Sequence, residues 1–362
     1  MMFVTLNTFI STLPASNAAI KNTASTTYAE GLYPAYSATG QDVWLEDYRY
    51  DCRAIIVSAV GARCGKCFKA DGKWNVCANT HILFVDETIA NRDYIWYLFN
   101  NENWWIKGGS AQPFVKVKES LKRKILLPNL DEQNKIVEAL DKISNSIKND
   151  KKTINRLESL IHARFLDLFG NPIINSFNWD TKPINEITPV NKYKGQVENI
   201  KGKVWLLNLD MVESNTGRIL DYLYVEEESV SSSTIKFDEN CVLYSKLRPY
   251  LNKVVVPNKS GYATSEMISL NTSSINKYFL ATLLRLEPFV NFANGTSYGA
   301  KMPRASVDEI KAFNLICPPV ELQNDFAKFV LHVESMKEAI YKRISLYEEL
   351  LERKVKDFYK EG

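Results

Sequence analysis

Histidine is nearly absent from this chain. Three occur in 362 residues, His81 in an apolar run and His162 and His332 in long helical stretches, so no Ser/His/Asp arrangement can be argued. Glycine is sparse, with 15 in all. None forms the fingerprint that follows a strand in an adenosylmethionine or dinucleotide pocket, and there is no phosphate loop. No apolar run approaches the roughly 18 to 20 residues that span a bilayer. A large excess of one charge is also missing: the net charge is only +3, with 14 basic and 11 acidic groups in residues 1–128 and 16 and 15 in residues 171–318. A chain gripping DNA alone through phosphates would be far more basic. A DNA binder of this composition must gather its basic residues on one face or share the duplex with partner subunits.

Six cysteines without a secretory context point to a reducing, cytoplasmic setting. The start, MMFVTLNTFISTLPASNAA, has a faint likeness to a secretory signal. It carries no Lys or Arg before its apolar stretch, and Asn7 and Thr8 interrupt it, so we do not read it as one.

What the chain does have is one long helix written twice. The copies read LPNLDEQNKIVEALDKISNSIKNDKKTINRLESLIHARFLDLFG and CPPVELQNDFAKFVLHVESMKEAIYKRISLYEELLERKVKDFYK. Phe326 lies 190 positions after Ile136, and Val330 lies 190 after Leu140. Apolar positions in steps of four and three form a coiled-coil seam: Ile136, Leu140, Ile143, Ile147, Ile154, Leu157, Ile161 and Leu168 in the first copy. In the second they are Phe326, Val330, Val333, Ile340, Ile344, Tyr347, Leu351 and Phe358. Two polar residues interrupt it, Asp150 and Lys337. Either they fix register at a cost in stability, or they sit at a seam edge in solvent, the reading we favour.

Four segments follow: a globular unit over 1–128, a helix over 129–170, a second globular unit over 171–318 and a second helix over 319–362. Pro128, Asn129 and Asp131 mark the first helix start, Gly170-Asn171-Pro172 its stop, and Pro318 and Pro319 the second start. About 40 residues make a rod of about 60 Å, nearly two turns of B-DNA at about 34 Å each. Strands are predicted at 54–58 and 80–85 in the first unit and at 204–207, 241–244 and 253–256 in the second. Each unit then has a short helix, Tyr94 to Asn100 and Lys277 to Leu286, and a Gly-rich loop, GGSAQPF and NGTSYGAKMPR. A duplicated scaffold with diverged heads predicts a pseudo-two-fold molecule, suited to a bipartite ligand such as duplex DNA.

The proline-rich lead-in LPNLDEQ before a heptad helix resembles the conserved regions of type I restriction–modification specificity subunits. CPPVELQ is similar, with Leu322 where the usual Glu would stand. YPAYSATG, IIVSAVGARCGKCFKADGKWNVCANT and GGSAQPF look like a target recognition domain of that family. YSKLRPYLNKVVVP with KMPR looks like another subclass of it. The resemblance implies an α/β (α+β) fold: two target recognition domains with mixed sheets, separated by two long antiparallel coiled-coil helices with pseudo-two-fold symmetry. It implies a non-catalytic subunit that reads a split target in double-stranded DNA. It would hold two adenine-N6 methyltransferase subunits and, through them, restriction/translocase subunits. S-adenosylmethionine, ATP and magnesium belong on those partners, with no cofactor on this chain. One departure stands out. The second unit opens with Trp179 and Ile184-Asn185-Glu186-Ile187, a common start for these domains, whereas the first lacks such an opening and is about 20 residues shorter. A second reading therefore stays open: a coiled-coil protein–protein adaptor of a methyltransferase complex that no longer reads sequence.

Asn171-Pro172-Ile173-Ile174 begins like the Asn-Pro-Pro-aromatic motif of the partner methyltransferases, but Ile173 and Ile174 break it, and a helix-stop turn is the better reading. Cys64, Cys67, Cys77 and His81 have a spacing that suits zinc. Strand alternation would turn some of them to opposite faces, so we expect buried thiols and no metal. The DNA-contact candidates in the first unit are Ser37, Arg63, Lys66, Lys69, Lys73, Asn79, Ser110 and Gln112. In the second they are Lys246, Arg248, Tyr250, Lys253, Ser297, Tyr298, Lys301 and Arg304. Arg pairs with guanine and Asn or Gln with adenine, Lys mostly meets phosphate, and Gly108, Gly109, Gly295 and Gly299 allow close approach of backbone. Trp96, Trp104 and Trp105 offer a base-stacking platform, although Trp96 reads better as core.

Overall fold

A computed structural model describes residues 2–14, 24–190 and 193–359. The part of the signal-like stretch beyond residue 14, and the last residues of the second helical segment, fall outside the described residues. The chain divides into two compact units, Met1–Asp150 with Arg343–Gly362 and Lys151–Lys342.

Unit 1 starts with strand β1 (Met2–Thr5), a one-turn 3-10 helix and β2 (Ile10–Pro14). There follow β3 (Tyr33–Ser37), β4 (Gly40–Leu45), β5 (Tyr50–Asp51), β6 (Ala54–Ser58), β7 (Cys67–Ala70), β8 (Lys73–Val76) and β9 (Thr80–Val85). After these come α1 (Arg92–Phe99), the β10 (Lys107–Gly108) and β11 (Phe114–Val115) hairpin, the short α2 (Val117–Ser120) and β12 (Lys124–Leu127). One antiparallel sheet has the order β2-β9-β6-β7, and a mixed sheet the order β4-β3-β8-β5. The run Ala54-Ile55-Ile56-Val57-Ser58 carries no alternation because β6 is buried at every position, sandwiched on both faces. Ile55, Val57 and Leu83 face the apolar side of α1, while Ile56 and Ile82 face Trp74.

The first unit's opening corrects the sequence reading. β1 pairs antiparallel with β12 and leads into the 3-10 turn Leu6–Thr8. In unit 2 the strand β13 (Thr181–Pro183) leads into the one-turn α4 (Ile184–Ile187) and pairs antiparallel with the last strand. The same device opens both units. It escaped notice because only an apolar residue followed by Asn, Leu6-Asn7 and Ile184-Asn185, is shared.

The long helix α3 (Leu130–Phe169) contributes its first half to unit 1 and its second to unit 2. Between α3 and α4 the chain turns at Gly170, in the left-handed region at φ 73°. The Asn171 side chain accepts from the backbone N–H of Ile173 and Ile174 at 2.9 and 3.4 Å, so the Asn-Pro pair makes a helix-stop turn. Unit 2 continues with β14 (Asn199–Ile200), β15 (Lys203–Leu207), β16 (Leu223–Glu226), β17 (Ile235–Phe237), β18 (Cys241–Ser245), β19 (Val254–Val255), β20 (Gly261–Ala263) and β21 (Met267–Asn271). Then come α5 (Lys277–Arg285), α6 (Glu287–Gly295), α7 (Val307–Ala312), β22 (Asn314–Ile316) and the second long helix α8 (Val320–Phe358). Its sheets are mixed (β14-β15-β20-β17, with β16 on β15) and antiparallel (β19-β18-β21), and β13 pairs with β22.

One glutamine in each unit ties the globular part to its long helix. In unit 1 the fully buried Gln133 accepts from the backbone N–H of Asn91 at 2.8 Å and donates to the Pro128 carbonyl at 2.9 Å. Asn91 caps α1 by accepting from Asp93 and Tyr94 N–H, and its own amide donates to Asn134. In unit 2, Gln323 accepts from Asn276 N–H at 2.9 Å and donates to the Pro318 carbonyl at 2.8 Å. Asn276 caps α5 in the same way and donates to Asn324. The Gln that ends LPNLDEQ and CPPVELQ is thus a hydrogen-bonded lock. Leu322, the departure from the usual Glu, lies outside it.

Helix packing within each unit follows the repeat. In unit 1 the two helix segments run in opposite directions: Ile136 lies near Phe358, and Asp150 meets Arg343. Tyr359 packs on Tyr94 at 4.6 Å between ring centroids. In unit 2 Phe169, its counterpart in the repeat, packs on Phe279 at 4.8 Å, and Phe165 and Phe326 complete an aromatic cluster. Leu140, Ile147, Ile154, Leu157, Ile161, Phe326, Val330, Val333, Ile340 and Ile344 are buried. Ile136, Ile143, Leu168, Tyr347, Leu351 and Phe358 are half-buried. At the end of α3 the fully buried positions are Phe165 and Phe169, which the heptad count passed over.

The two polar interruptions are not at a solvent edge. Asp150 is 9% exposed and accepts both arms of the Arg343 guanidinium at 2.6 and 2.7 Å. Lys337 is 2% exposed and donates to Glu158 at 2.6 Å and Glu334 at 2.9 Å. A buried charge is tolerated only when paired and hydrogen-bonded in this way.

Two outcomes follow. Gln133→Ala strands an amide N–H and a carbonyl, so unit 1 should lose about 2–6 kcal/mol, at about 1–3 kcal/mol per orphaned group. Urea unfolding measures the loss, and faster hydrogen exchange at the Asn91 amide locates it. The Arg343 hydrogen bonds hold the Asp150 carboxyl below its usual pKa. A depressed carboxylate adds stability that is present above about pH 3.9, its unfolded value, and is lost as pH falls through the folded value. Acid unfolding should therefore show an increment in the parent that Asp150→Asn lacks.

Candidate nucleic-acid interface

In unit 1 three segments are knitted together beyond the end of β6. The turn 59–66 bonds to itself through Gly65 N–H to Ser58 O at 2.8 Å and Ser58 N–H to Lys66 O at 2.9 Å. The β10–β11 hairpin joins it through a bridge between Val60 and Phe114, with Gly61 N–H to Pro113 O and Val115 N–H to Ala59 O both at 2.9 Å. The turn before β9 joins through Ala59 N–H to Asn79 O at 2.8 Å. Arg63, Lys66, Asn79, Ser110 and Gln112 all lie on these segments. Gly109 sits at φ 79°, and a Cβ there would lie 2.5 Å from the Gln112 carbonyl, which explains the glycine at the hairpin tip. Ser110 and Gln112 are exposed, as is Phe114.

Three other candidates are drawn off by local partners. Ser37 is buried, and its hydroxyl donates to Asp42 at 2.8 Å to shape the β3–β4 hairpin. Lys69 turns toward α1, 3.2 Å from Asp93, with its ammonium over the Trp96 ring. Lys73 lies over Tyr48 at 4.7 Å. Strand position was readable from sequence, but the charged or aromatic neighbour that captures each side chain was not.

Unit 2 builds its cluster at the matching place, beyond the end of β18. Leu247 and Tyr298 both bridge to Arg304, Arg248 N–H donates to Pro303 O at 2.7 Å, and Ala305 N–H donates to Lys246 O at 2.9 Å. These bonds bring Lys246, Arg248, Tyr250, Ser297, Tyr298, Lys301 and Arg304 together. Arg248 and Asn252 are both left-handed, at φ 50°, and bracket the turn that carries Tyr250. Tyr250 and Tyr298 are 52% and 64% exposed, and Met302 beside them 46%. The Arg304 fork is bound to Glu266 at 2.7 and 3.1 Å, and those hydrogen bonds hold the Glu266 carboxyl below its usual range. Ser297 donates to Ala293 O at the end of α6. Lys253 points inward and donates to Leu209 O at 2.7 Å, burial lowering its pKa, so it is a structural cation. Sequence reasoning missed Glu266, Met302 and Phe114. Phe114 and Met302 had a local signal, their places in the two Gly-rich loops, and Glu266 had none.

The cysteines do not converge. Cys64 and Cys67 lie in the core around α1, and Cys77 packs with Ala35 and Val43 in a separate cluster. Burial pushes the Cys67 thiol up, and its Sγ donates to Phe99 O at 3.3 Å. Among the described residues, no three His, Cys, Asp or Glu side chains are grouped to hold a metal ion. Trp104 and Trp105 are core around Phe99, and Trp96 is half-buried. The arrangement is one of surface loops offering hydrogen bonds, cations and exposed rings.

Residues 15–159 match the family of the type I restriction modification DNA specificity domain. The specificity subunit of the type I restriction enzyme EcoDI from Escherichia coli is 20% identical over 355 residues, covering 87% of this chain and 78% of that protein. The crystal structure of a type I restriction–modification S subunit from M. genitalium superposes with a TM-score of 0.57 at 12% identity, covering all of this chain and 96% of the other. A chain from a study of assembly and conformational transition in a type I restriction–modification system gives 0.51 at 13% identity, covering 99% and 97%. With the duplicated helix, the paired Gln locks and the two knitted loop clusters, these likenesses make residues 15–159 similar to the type I restriction modification DNA specificity domain and the fold of the whole chain similar to that of type I restriction–modification S subunits.

Proposed function

We propose that the loop cluster of each unit reads one half of a split duplex sequence, and that the long helices set the spacing between the halves. The observation that carries this is the recurrence of one construction at one topological position: Val60 with Phe114 in unit 1 and Leu247 with Arg304 in unit 2. The framework is shared while the side chains on it differ, as two different half-sequences require. Unit 1 presents Arg63, Asn79, Ser110 and Gln112, with Lys66 for phosphate. Unit 2 presents Arg248, Tyr250 and Tyr298, with Lys246 and Lys301 for phosphate. The opening that β1 and its 3-10 turn give the first unit, matched by β13 and α4 in the second, supports reading by both units.

In this reading the chain is a non-catalytic subunit. Two adenine-N6 methyltransferase subunits bind along the helices, restriction/translocase subunits join through them, and those partners carry S-adenosylmethionine, ATP and magnesium. The modest net charge fits an assembly in which partners share the phosphate contacts. No helix among the described residues is long and apolar enough to cross a membrane, and the reading places the protein in the cytoplasm with its DNA.

Gln112→Ala should relax one position in one half-sequence, by about 1–3 kcal/mol of discrimination, and leave the other half unchanged. Mapping methylated adenine in cells carrying the system reads this directly, and a change in both halves would refute the assignment of one unit to each half. Inserting one heptad into α3 and one into α8 at the junction of the units should lengthen the tolerated spacer and preserve both half-sequences. An unchanged spacer would remove the ruler role.

A further inference from the structure

Unit 1 contains a cleft that the base-reading loops do not account for. It has a volume of about 550 Å³ and lies beside β7, with Trp44, Phe68 and Trp96 among its walls, Lys66 and Lys69 lining it, and the exposed amide of Gln41 near them. Among the described residues that line it, none is a carboxylate. It is continuous with the candidate interface, because Lys66 ends the 59–66 turn and is held there by Ser58. The Lys66 ammonium lies 5.6 Å from the Phe68 ring centroid, whereas Lys69 is held by Asp93.

A peptide adding to the outer edge of β7 would find that edge already satisfied. The Cys67 N–H donates to Asn100 Oδ1, the Cys67 carbonyl accepts from Trp96 Nε1, and the Lys69 carbonyl accepts from the Tyr36 hydroxyl. What remains available is ring surface and an ammonium, the combination that holds an unstacked base and its phosphate. Trp96, with the Lys69 ammonium over its ring, is one wall of this cleft, while Trp104 and Trp105 stay in the core.

We propose that this cleft takes one unpaired deoxynucleotide, its base against the rings of Trp44 and Phe68 and its phosphate at Lys66. The proposal rests on the base-reading function above. A methyltransferase acting on adenine takes that base out of the stack, which creates unpaired nucleotides next to the reading loops.

The test uses the full chain and three labelled probes: a single-stranded oligothymidylate, a perfect duplex, and the same duplex with one bulged thymidine. The parent should bind the oligothymidylate and prefer the bulged to the perfect duplex. Trp44→Ala should weaken oligothymidylate binding and abolish the bulge preference, by about five- to a hundred-fold at about 1–3 kcal/mol per stacked base. Trp44→Phe should retain both. Lys66→Ala, whose side chain belongs to no core cluster, is the second variant and should weaken the same two probes if Trp44→Ala fails to fold. A parent that does not distinguish bulged from perfect duplex, or folded variants with unchanged affinities, would overturn the proposal. So would a proline-rich peptide that binds in a Trp44-dependent way where oligothymidylate does not. Failure of the base-reading function alone would look different: no salt-sensitive binding of the perfect duplex, with Trp44-dependent oligothymidylate binding intact.

Discussion

A buried amide at the same position of each unit ties the globular part to its long helix, alongside the aromatic contacts. Gln133 and Gln323 each span three chain segments: a proline carbonyl just after the last strand, the N–H of the residue that caps a short helix, and the first turn of a long helix. The amide side chain suits this because it offers donor and acceptor together in one rigid plane. α1 and α5 in turn pack under the sheets whose strands carry the exposed loop clusters. Loop position therefore follows helix position in both units. A loop on rigid supports presents its side chains at lower entropic cost than a free one.

The seam adds a different kind of constraint. Its apolar positions correspond between the two helices, the repeat placing Leu, Ile, Val, Phe or Tyr at matching sites. The buried ions do not. Asp150 has Ile340 at the matching site of α8, and Lys337 has Ile147 at the matching site of α3. Asp150 meets Arg343 in unit 1, and Lys337 meets Glu158 in unit 2. These ions cost stability relative to an apolar seam but mark one helix as different from the other, the best-attested use of polar seam residues.

The two loop clusters share a backbone plan and differ in chemistry. Unit 1 offers small polar and amide side chains on a tight glycine hairpin. Unit 2 offers tyrosines and cations on a turn with two left-handed residues, and holds Arg304 against Glu266 before any ligand arrives. An arginine whose fork is already engaged can meet a new partner only by giving up hydrogen bonds it already has. The two units differ in their loops and agree in the framework that supports them.

Much of the architecture was legible in the amino-acid order. Heptads, proline starts and a glycine stop are local signals, so α3 and α8, the buried strands at 54–58 and 80–85 and the duplicated plan could be read from spacing alone. The Gly-rich loops were recognisable because backbone bonding within a few residues requires them. Other features depend on residues far apart in the chain. The opening of unit 1 needed β12 as its partner, more than a hundred positions away. The capture of Lys69 by Asp93, of Lys253 by Leu209 and of Arg304 by Glu266, and the burial of Asp150 and Lys337, were decided by tertiary contacts. Sequence by itself determined periodicity, caps and turns, because those follow from neighbouring dihedrals. Only the folded structure decided which polar side chains remain free to meet a ligand, because that depends on which distant charge or carbonyl reaches them first.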